Sequence, residues 1–154
     1  MAARPRNYGA ALVTGCSTGS GRATAIALTE AGFTVYATAR RPETLVDLAE
    51  TGIRALALDV TDEASMAAAV AHVEAEHHYV SLLVNNAGYA LQGPVEDTPI
   101  DDVRAQFETN VFGLVRLTQL VLPGMRHARH GRIVNIGSMG GRFTFPGGGY
   151  YHAS

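Results

Sequence analysis

Short apolar segments alternate with segments of helical periodicity along the whole chain. Five apolar segments show no alternation between apolar and polar positions, and we predict that they are buried strands: Ala10–Thr14, Phe33–Thr38, Arg54–Leu58, Ser81–Asn85 and Arg132–Ile136. Uninterrupted apolar strands are typical of a parallel sheet that helices cover on both faces.

The segments between these strands have the spacing of amphipathic helices. They predict helices over Gly21–Ala31, Thr44–Glu50, Asp62–His78 and Ile100–Arg129, the last broken near Asn110. We expect Thr61 to cap the third helix, and Gly32 and Gly131 to end helices with a positive φ. Repeated βα units with right-handed crossovers predict an α/β fold, a doubly wound parallel sheet, as one domain over residues 1–154. The glycine-rich stretch 137–149 is predicted to be a mobile loop.

Composition narrows the class of protein. Hydrophobic residues make up 47% and charged residues 17% of the chain, as in ordered globular proteins. A net charge of -2 offers no basic field for nucleic acid, and the Arg126, Arg129 and Arg132 cluster is expected to complement a helix dipole. The single cysteine, Cys16, excludes an internal disulfide and suits a reducing compartment.

The sequence also bears on where in the cell the protein is expected and on whether it binds a membrane or a metal. The first ten residues contain no apolar run of signal-peptide length. The most apolar stretch, VFGLVRLTQLVL, is too short to span a bilayer and contains Arg116. We therefore expect a cytoplasmic protein with no membrane partner. The six histidines lack a Cys or carboxylate that would complete a ligand set, so we expect no metal site.

The segment LVTGCSTGSGRATA follows the first strand and opens the first helix. Gly15, Gly19 and Gly21 let the backbone approach a pyrophosphate at the helix N-terminus. Such a pattern alone is also explained by a tight turn, but the preceding strand and the following helix favour dinucleotide binding.

Together with other motifs, this turn resembles that of the short-chain dehydrogenase/reductase family. The turn has the form T-G-x-x-x-G-x-G, NNAG ends the fourth strand at Asn85 to Gly88, and Asn110, Ser138 and Tyr151 follow in the family's order. The resemblance extends from about Gly9 to the end of the sequence. It implies a Rossmann sheet of order 3-2-1-4-5, with strands 6 and 7 beyond this sequence.

The resemblance also implies the residues that bind the cofactor. Asp59 would meet the adenine amino group, and the remaining predicted contacts are Gly15, Ser17, Thr18, Gly19, Ser20, Gly21, Arg40, Val60, Asn86, Ala87 and Gly88. No Asp or Glu occurs between Glu30 and Glu43, where an NAD site places a carboxylate for the ribose. Arg40, with help from Ser17 or Arg41, is therefore predicted to meet a 2′-phosphate. We expect NADP(H), while NAD(H) stays possible; the alternative is that both arginines are merely solvated.

In the catalytic pattern of the family, a tyrosine acts as acid and base. By resemblance, Tyr151 has this role, Ser138 orients and polarises the carbonyl, and Asn110 anchors a water in a proton relay. Tyr150 is the rival tyrosine, but the Ala-Ser that follows Tyr151 is in the family's register. The family's lysine, which would favour the phenolate of the tyrosine, belongs at the position after Ser154.

These features predict an N-terminal fragment of an NADP(H)-dependent oxidoreductase that interconverts a secondary alcohol and a ketone or aldehyde. We expect the fragment itself to be inactive and its fifth strand to be an uncovered edge. Met139, Phe143, Phe145 and the loop after NNAG resemble those of hydroxysteroid and retinol dehydrogenases, which implies an apolar substrate. The full enzyme is expected to be a homodimer or homotetramer through the helix around Asn110 to Arg129. The alternative is a non-catalytic dinucleotide-binding module or pseudoenzyme.

Overall fold

A computed structural model describes residues 8–154, so the first seven residues lie outside the description. A parallel sheet of five strands has the order β3-β2-β1-β4-β5, which confirms the predicted doubly wound architecture. The strands are β1 (Ala10–Val13), β2 (Thr34–Ala39), β3 (Arg54–Ala57), β4 (Leu82–Asn85) and β5 (Arg132–Asn135).

Helices connect the strands on both faces of the sheet. They are α1 (Gly19–Ala31), α2 (Val46–Ala49), α3 (Glu63–His77), α4 (Ile100–Phe107), α5 (Leu114–Ala128) and α6 (Gly149–Ala153). Short 3₁₀ turns cover Pro42–Leu45 and Met139–Gly141, so the predicted loop at 137–149 contains regular structure. No helix of the described residues is long and apolar enough to cross a bilayer.

Two apolar clusters form the core, one on each face of the sheet. One joins Leu12 and Leu83 of the central strands to Val73 of α3 and Leu117 of α5. The other includes Val13, Cys16 and Ala25, the last of these on α1. The central strands β1 and β4 are buried throughout, as their apolar sequences predict.

The prediction of burial is wrong for two strands. Most residues of β3 and most residues of β5 are exposed. Both strands lie at the edges of the sheet among the described residues, where each has a neighbouring strand on one side only. Apolar sequence predicts a strand correctly here, but the position of that strand in the sheet decides its burial.

Two predicted helix caps are also corrected. Asp62 rather than Thr61 caps α3, since its carboxylate accepts from the N–H groups of Ala64 and Ser65. Thr61 instead donates its hydroxyl to Asp59. At the end of α5 the left-handed residue is Arg129, with φ of 53°, and not Gly131.

Gly131 is required for the space around it and not for its φ, whereas Gly32 ends its helix with the predicted positive φ. A side chain at Gly131 would overlap Met125 of α5. Gly32 ends α1 with φ of 103°, where its N–H closes the last turn of the helix.

The predicted break near Asn110 is a π-helical segment, Glu108–Gly113, between α4 and α5. A π segment adds a residue to the helical turn and often occurs at functional sites. Gly113 ends the segment where the helix passes the end of β3, and a Cβ there would overlap the carbonyl oxygen of Val60.

Cys16 leads to a testable prediction about stability. Its side chain is fully buried, and burial raises the pKa of the thiol to about 11, although the Thr38 backbone and Arg22 oppose the shift. The folded protein therefore keeps a proton that the unfolded chain releases at about pH 8.5. The free energy of unfolding should fall as the pH rises between these values, by up to about 1.4 kcal/mol per pH unit.

Urea unfolding of the wild type and Cys16→Ala between pH 7 and pH 10 measures this effect. The alanine variant lacks the thiol, so the difference in stability between the two proteins should shift in favour of the variant as the pH rises. In parallel, a thiol reagent should modify the native wild type far more slowly than the urea-unfolded chain. A pH-independent difference would contradict the prediction.

Candidate cofactor and substrate site

The turn between β1 and α1 needs its glycines for separate reasons. Gly15 and Gly19 have φ of 69° and 62°, which disfavour other residues. A Cβ at Gly15 would lie 2.9 Å from the Cα of Ala87, so the turn presses against the segment after β4. A Cβ at Gly21 would lie 2.5 Å from the carbonyl oxygen of Gly15, so the first turn of α1 also packs closely.

The N-terminus of α1 is free to meet an anion. Thr18 makes no side-chain cap, and the first turn of the helix contains no acidic residue. A Cβ at Gly19 would meet nothing within 4 Å, so open space lies in front of the helix. Unpaired N–H groups at a helix N-terminus bind phosphate well, and the residues present therefore fit a dinucleotide.

A cavity of about 450 Å³ begins at this helix end. Its walls include nearly all the predicted cofactor contacts, namely Gly15, Ser17, Thr18, Gly19, Ser20, Arg40, Asp59, Val60, Asn86, Ala87 and Gly88. Gly21 is the exception, because it is buried behind the turn. The other walls are Ala39, Leu58, Thr61, Tyr89 and Thr109.

Arg40 follows β2 directly, is exposed, and lines the cavity together with Ser17. Arg41, the other predicted helper, does not line it. The carboxylate in the cavity belongs to Asp59, two residues after β3, and accepts from the N–H of Thr61 at 2.9 Å and from its hydroxyl at 2.8 Å. The end of β2 thus presents a cation where an NAD site presents an acid.

Thr14 is a residue of the site that the sequence analysis missed. It is buried at the end of β1, and its hydroxyl oxygen accepts from the N–H groups of Asn86 and Ala87, both at 2.9 Å. Asn86 returns two hydrogen bonds from its side chain, to the carbonyls of Thr14 at 2.9 Å and Gly15 at 3.1 Å. The threonine of T-G-x-x-x-G-x-G was the available signal.

A second cavity, of about 430 Å³, continues from the first. The two share the walls Ser20, Asn86, Ala87, Gly88 and Tyr89. The second cavity is also lined by Asn110, Ser138 and Tyr151, so the structure brings the predicted catalytic residues to one space beside the predicted cofactor contacts.

The two tyrosines of α6 differ in position. Tyr151 lines the second cavity, whereas Tyr150 does not and donates its hydroxyl to the carbonyl of Val95 at 3.3 Å. Ser138 follows β5 and accepts from the N–H of Gly140 at 3.1 Å, which leaves its hydroxyl proton available. Of the two tyrosines, Tyr151 is the one that lies at the same cavity as Asn110 and Ser138.

Asn110 lies in the π-helical segment and bonds to Tyr89 twice. Its side-chain oxygen accepts from the Tyr89 N–H at 3.1 Å, and its side-chain nitrogen donates to the Tyr89 carbonyl at 2.9 Å. These bonds fix the loop after β4. A Cβ at Gly88 in that loop would lie 3.2 Å from the side-chain oxygen of Asn110, so the glycine leaves room for this side chain.

The predicted apolar substrate contacts are only partly at the cavity. Met139, Phe143 and Phe145 do not line it, and Met139 is 79% exposed. Tyr89 and Ala90, from the loop after β4, do line it. In residues 8–154 no group of three His, Cys, Asp or Glu side chains could hold a metal ion.

Comparison with known proteins identifies the family. The family model described as short chain dehydrogenase matches residues 9–154. The chain belongs to the short-chain dehydrogenase family. The geometry described above is thus that of a short-chain dehydrogenase, and the resemblance seen in the sequence is confirmed.

The chain is similar to named reductases and dehydrogenases of other organisms. The chain is 41% identical over 143 residues to a 3-ketodihydrosphingosine reductase of Bacteroides thetaiotaomicron, covering 93% of this chain and 52% of that protein. It is 38% identical to an NADP-dependent 3-hydroxy acid dehydrogenase of Escherichia coli, covering 93% and 59%.

Solved short-chain dehydrogenases share the fold. One from Streptomyces avermitilis has a TM-score of 0.89 and 45% identity over 94% of this chain and 55% of its own. A closed serine dehydrogenase complexed with NADP+ has a TM-score of 0.87 and 37% identity over 94% of this chain and 60% of its own. The chain spans between about half and three fifths of the length of these relatives.

Thr14 generates a prediction with a matched control. Thr14→Val has nearly the same shape but leaves the N–H groups of Asn86 and Ala87 without their acceptor. Because an unsatisfied buried polar group costs about 1–3 kcal/mol, we expect a loss of stability in that range and weaker dinucleotide binding. Thr14→Ser keeps the hydroxyl and should lose less of both. Chemical unfolding and cofactor titration of the two variants make the comparison, and equal losses would refute this role of the hydroxyl.

Proposed function

We propose that the protein carrying this chain is an NADP(H)-dependent oxidoreductase that interconverts a secondary alcohol and a ketone or aldehyde. The observation that carries the proposal is the shared cavity of Asn110, Ser138 and Tyr151, which continues into the cavity at the glycine turn. A cofactor at the turn and a carbonyl beside Tyr151 would then be neighbours.

The choice of cofactor rests on Arg40. Its guanidinium is the cation at the end of β2 that lines the cavity, and Ser17 lies at the same cavity to offer a hydroxyl. Guanidinium groups bind phosphate in a fixed fork geometry, so this pair suits a ribose 2′-phosphate. Two similar proteins support the choice, since one is named NADP-dependent and another was solved with NADP+.

The proposed chemistry divides between cofactor and protein. The nicotinamide, when bound, supplies or accepts the hydride. In the reducing direction the Tyr151 phenol would donate a proton to the carbonyl oxygen, and in the other direction its phenolate would accept one from the alcohol. The Ser138 hydroxyl would hold the same oxygen in place by a hydrogen bond. Asn110 would anchor a water that relays the proton.

The substrate is proposed to be a small molecule, an apolar alcohol or ketone. Tyr89, Ala90, Leu114 and Ile136 contribute apolar surface to the cavity that contains Ser138 and Tyr151. The reductase of Bacteroides thetaiotaomicron is named for a ketone, which agrees with reduction of a carbonyl.

Two further proposals concern the state of the enzyme in the cell. A homodimer or homotetramer is supported by the exposed Phe112 and Val115, which are 56% and 46% accessible on the helical segment expected to form the interface. Exposed apolar groups of this kind favour association.

We also propose that the protein is cytoplasmic, since its single cysteine needs no oxidising compartment.

The proposed cofactor preference can be tested directly on the full-length protein that the gene encodes. NADPH should bind more tightly than NADH. Arg40→Ala should weaken the binding of NADPH by roughly tenfold or more, because a charge-assisted hydrogen bond contributes about 1.5–3 kcal/mol. The binding of NADH should change little. Arg41→Ala is the matched control and should leave both dissociation constants near those of the wild type. Tighter binding of NADH by the wild type would overturn the assignment.

Tyr151 gives the second prediction. Tyr151→Phe removes the proposed acid and should lower kcat for ketone reduction by at least about 10²-fold, the usual contribution of a general acid. Tyr150→Phe, whose hydroxyl contacts only the loop at Val95, should retain activity. Both variants should bind NADPH like the wild type. A wild type that binds NADPH but turns over no alcohol or carbonyl would support the non-catalytic module instead.

A further inference from the structure

We infer that Gln106 is a positioning residue that holds the Tyr151 helix against the loop after β4; this inference rests on the proposed function. Gln106 lies on α4 and is completely buried. The other buried polar side chains of residues 8–154 lie within or beside strands: Thr14, Thr38, Ser81 and Asn85. A long amide buried between helices is costly unless both of its ends find partners.

Both ends of the Gln106 amide are used, and they join different parts of the chain. Its side-chain oxygen accepts from the N–H of Leu91, in the loop after β4. Its side-chain nitrogen donates to the hydroxyl of Ser154 at 3.0 Å, next to the end of α6. One side chain thus connects the loop after β4, whose Tyr89 and Ala90 line the second cavity, to Ser154, which lines it next to the end of α6.

The Ser154 hydroxyl is the junction of this network. It accepts from the side-chain nitrogens of Gln106 and Asn110, both at 3.0 Å, and donates to the carbonyl of Tyr151 at 3.2 Å. A hydroxyl has one proton and two lone pairs, so all of its hydrogen-bonding capacity is used. Ser154 is therefore fixed relative to α4 and the π segment, and it holds the backbone of Tyr151.

This arrangement acts on Tyr151 without touching the substrate. Gln106 does not line either cavity at the site, whereas Ser154, Asn110 and Tyr151 do. Proton transfer requires the phenol within hydrogen-bond reach of the reacting oxygen. A displacement of about 1 Å costs up to about 10²-fold in rate, so loss of the Gln106 bonds should affect turnover rather than cofactor binding.

The test uses Gln106→Met in the full-length protein that its gene encodes. This replacement keeps the length and volume of the side chain but lacks the amide. We expect kcat to fall by about tenfold or more, in line with a small misplacement of the acid, while the dissociation constant of NADPH stays within about twofold. Glu30→Met places a methionine at an exposed position in the last turn of α1, outside both cavities and outside the proposed subunit interface, and should leave both unchanged.

Ser154 supplies a second pair of variants in case Gln106→Met does not fold. Ser154→Ala removes the junction and should lower kcat in the same way, whereas Ser154→Thr keeps a hydroxyl and should recover most of the activity. Because both residues act through one network, Gln106→Met combined with Ser154→Ala should be no slower than the slower single variant.

Amide hydrogen exchange separates this inference from the proposed function. Exchange should be faster at Leu91 and in α6 for Gln106→Met, but not for Glu30→Met. If the wild type reduces no carbonyl compound, the proposed function is refuted. The exchange rates would still test whether Gln106 holds α6 against the loop after β4. Wild-type kcat in Gln106→Met, or unchanged exchange at Leu91 and α6, would overturn the inference. A lower melting temperature with unchanged kcat would also overturn it, because Gln106 would then be only structural.

Discussion

The contact between the glycine turn and the segment after β4 underlies both cavities of the site. Gly15 approaches Ala87 so closely that a Cβ would lie 2.9 Å from its Cα, and the Thr14 hydroxyl accepts from two N–H groups of that segment. β1 and β4 are neighbours at the point where the sheet continues in opposite directions. Open α/β sheets bind ligands at this switch point, and here it supplies walls to both cavities.

The second part of the site depends on the interrupted helix between β4 and β5. The π segment carries Asn110 to the loop after β4, where it bonds to both the N–H and the carbonyl of Tyr89. Gly113 lets the same segment pass the carbonyl of Val60, which follows β3 in the chain. With Gln106 one helical turn earlier, this helix supports the loop and α6 together.

The helix ends and the burial of the edge strands show where local sequence signals were insufficient, although β5 lies at the edge of the sheet as predicted. Thr61 and Asp62 are both residue types that cap helices well. Asp62 caps α3, because the Thr61 hydroxyl is bonded to Asp59. Gly131 was expected to take a positive φ, but Arg129 takes it, and the space at Gly131 is needed by Met125. Apolar β3 and β5 are exposed because they are edge strands among the described residues.

The sequence by itself determined the order of strands and helices, the glycine turn, and a set of candidate residues that the structure gathers around two joined cavities. These signals are local: the period of the hydrophobic positions, glycines where a turn needs a positive φ, and motifs of a few neighbouring residues. The roles assigned to those residues remain predictions. The register of the following Ala-Ser already favoured Tyr151 over Tyr150, and Tyr151 does line the second cavity. Only the tertiary structure decided which polar groups support that cavity. The bonds of Thr14 to Asn86 and of Gln106 to Ser154 join residues 72 and 48 positions apart, a separation at which periodicity and spacing carry no information.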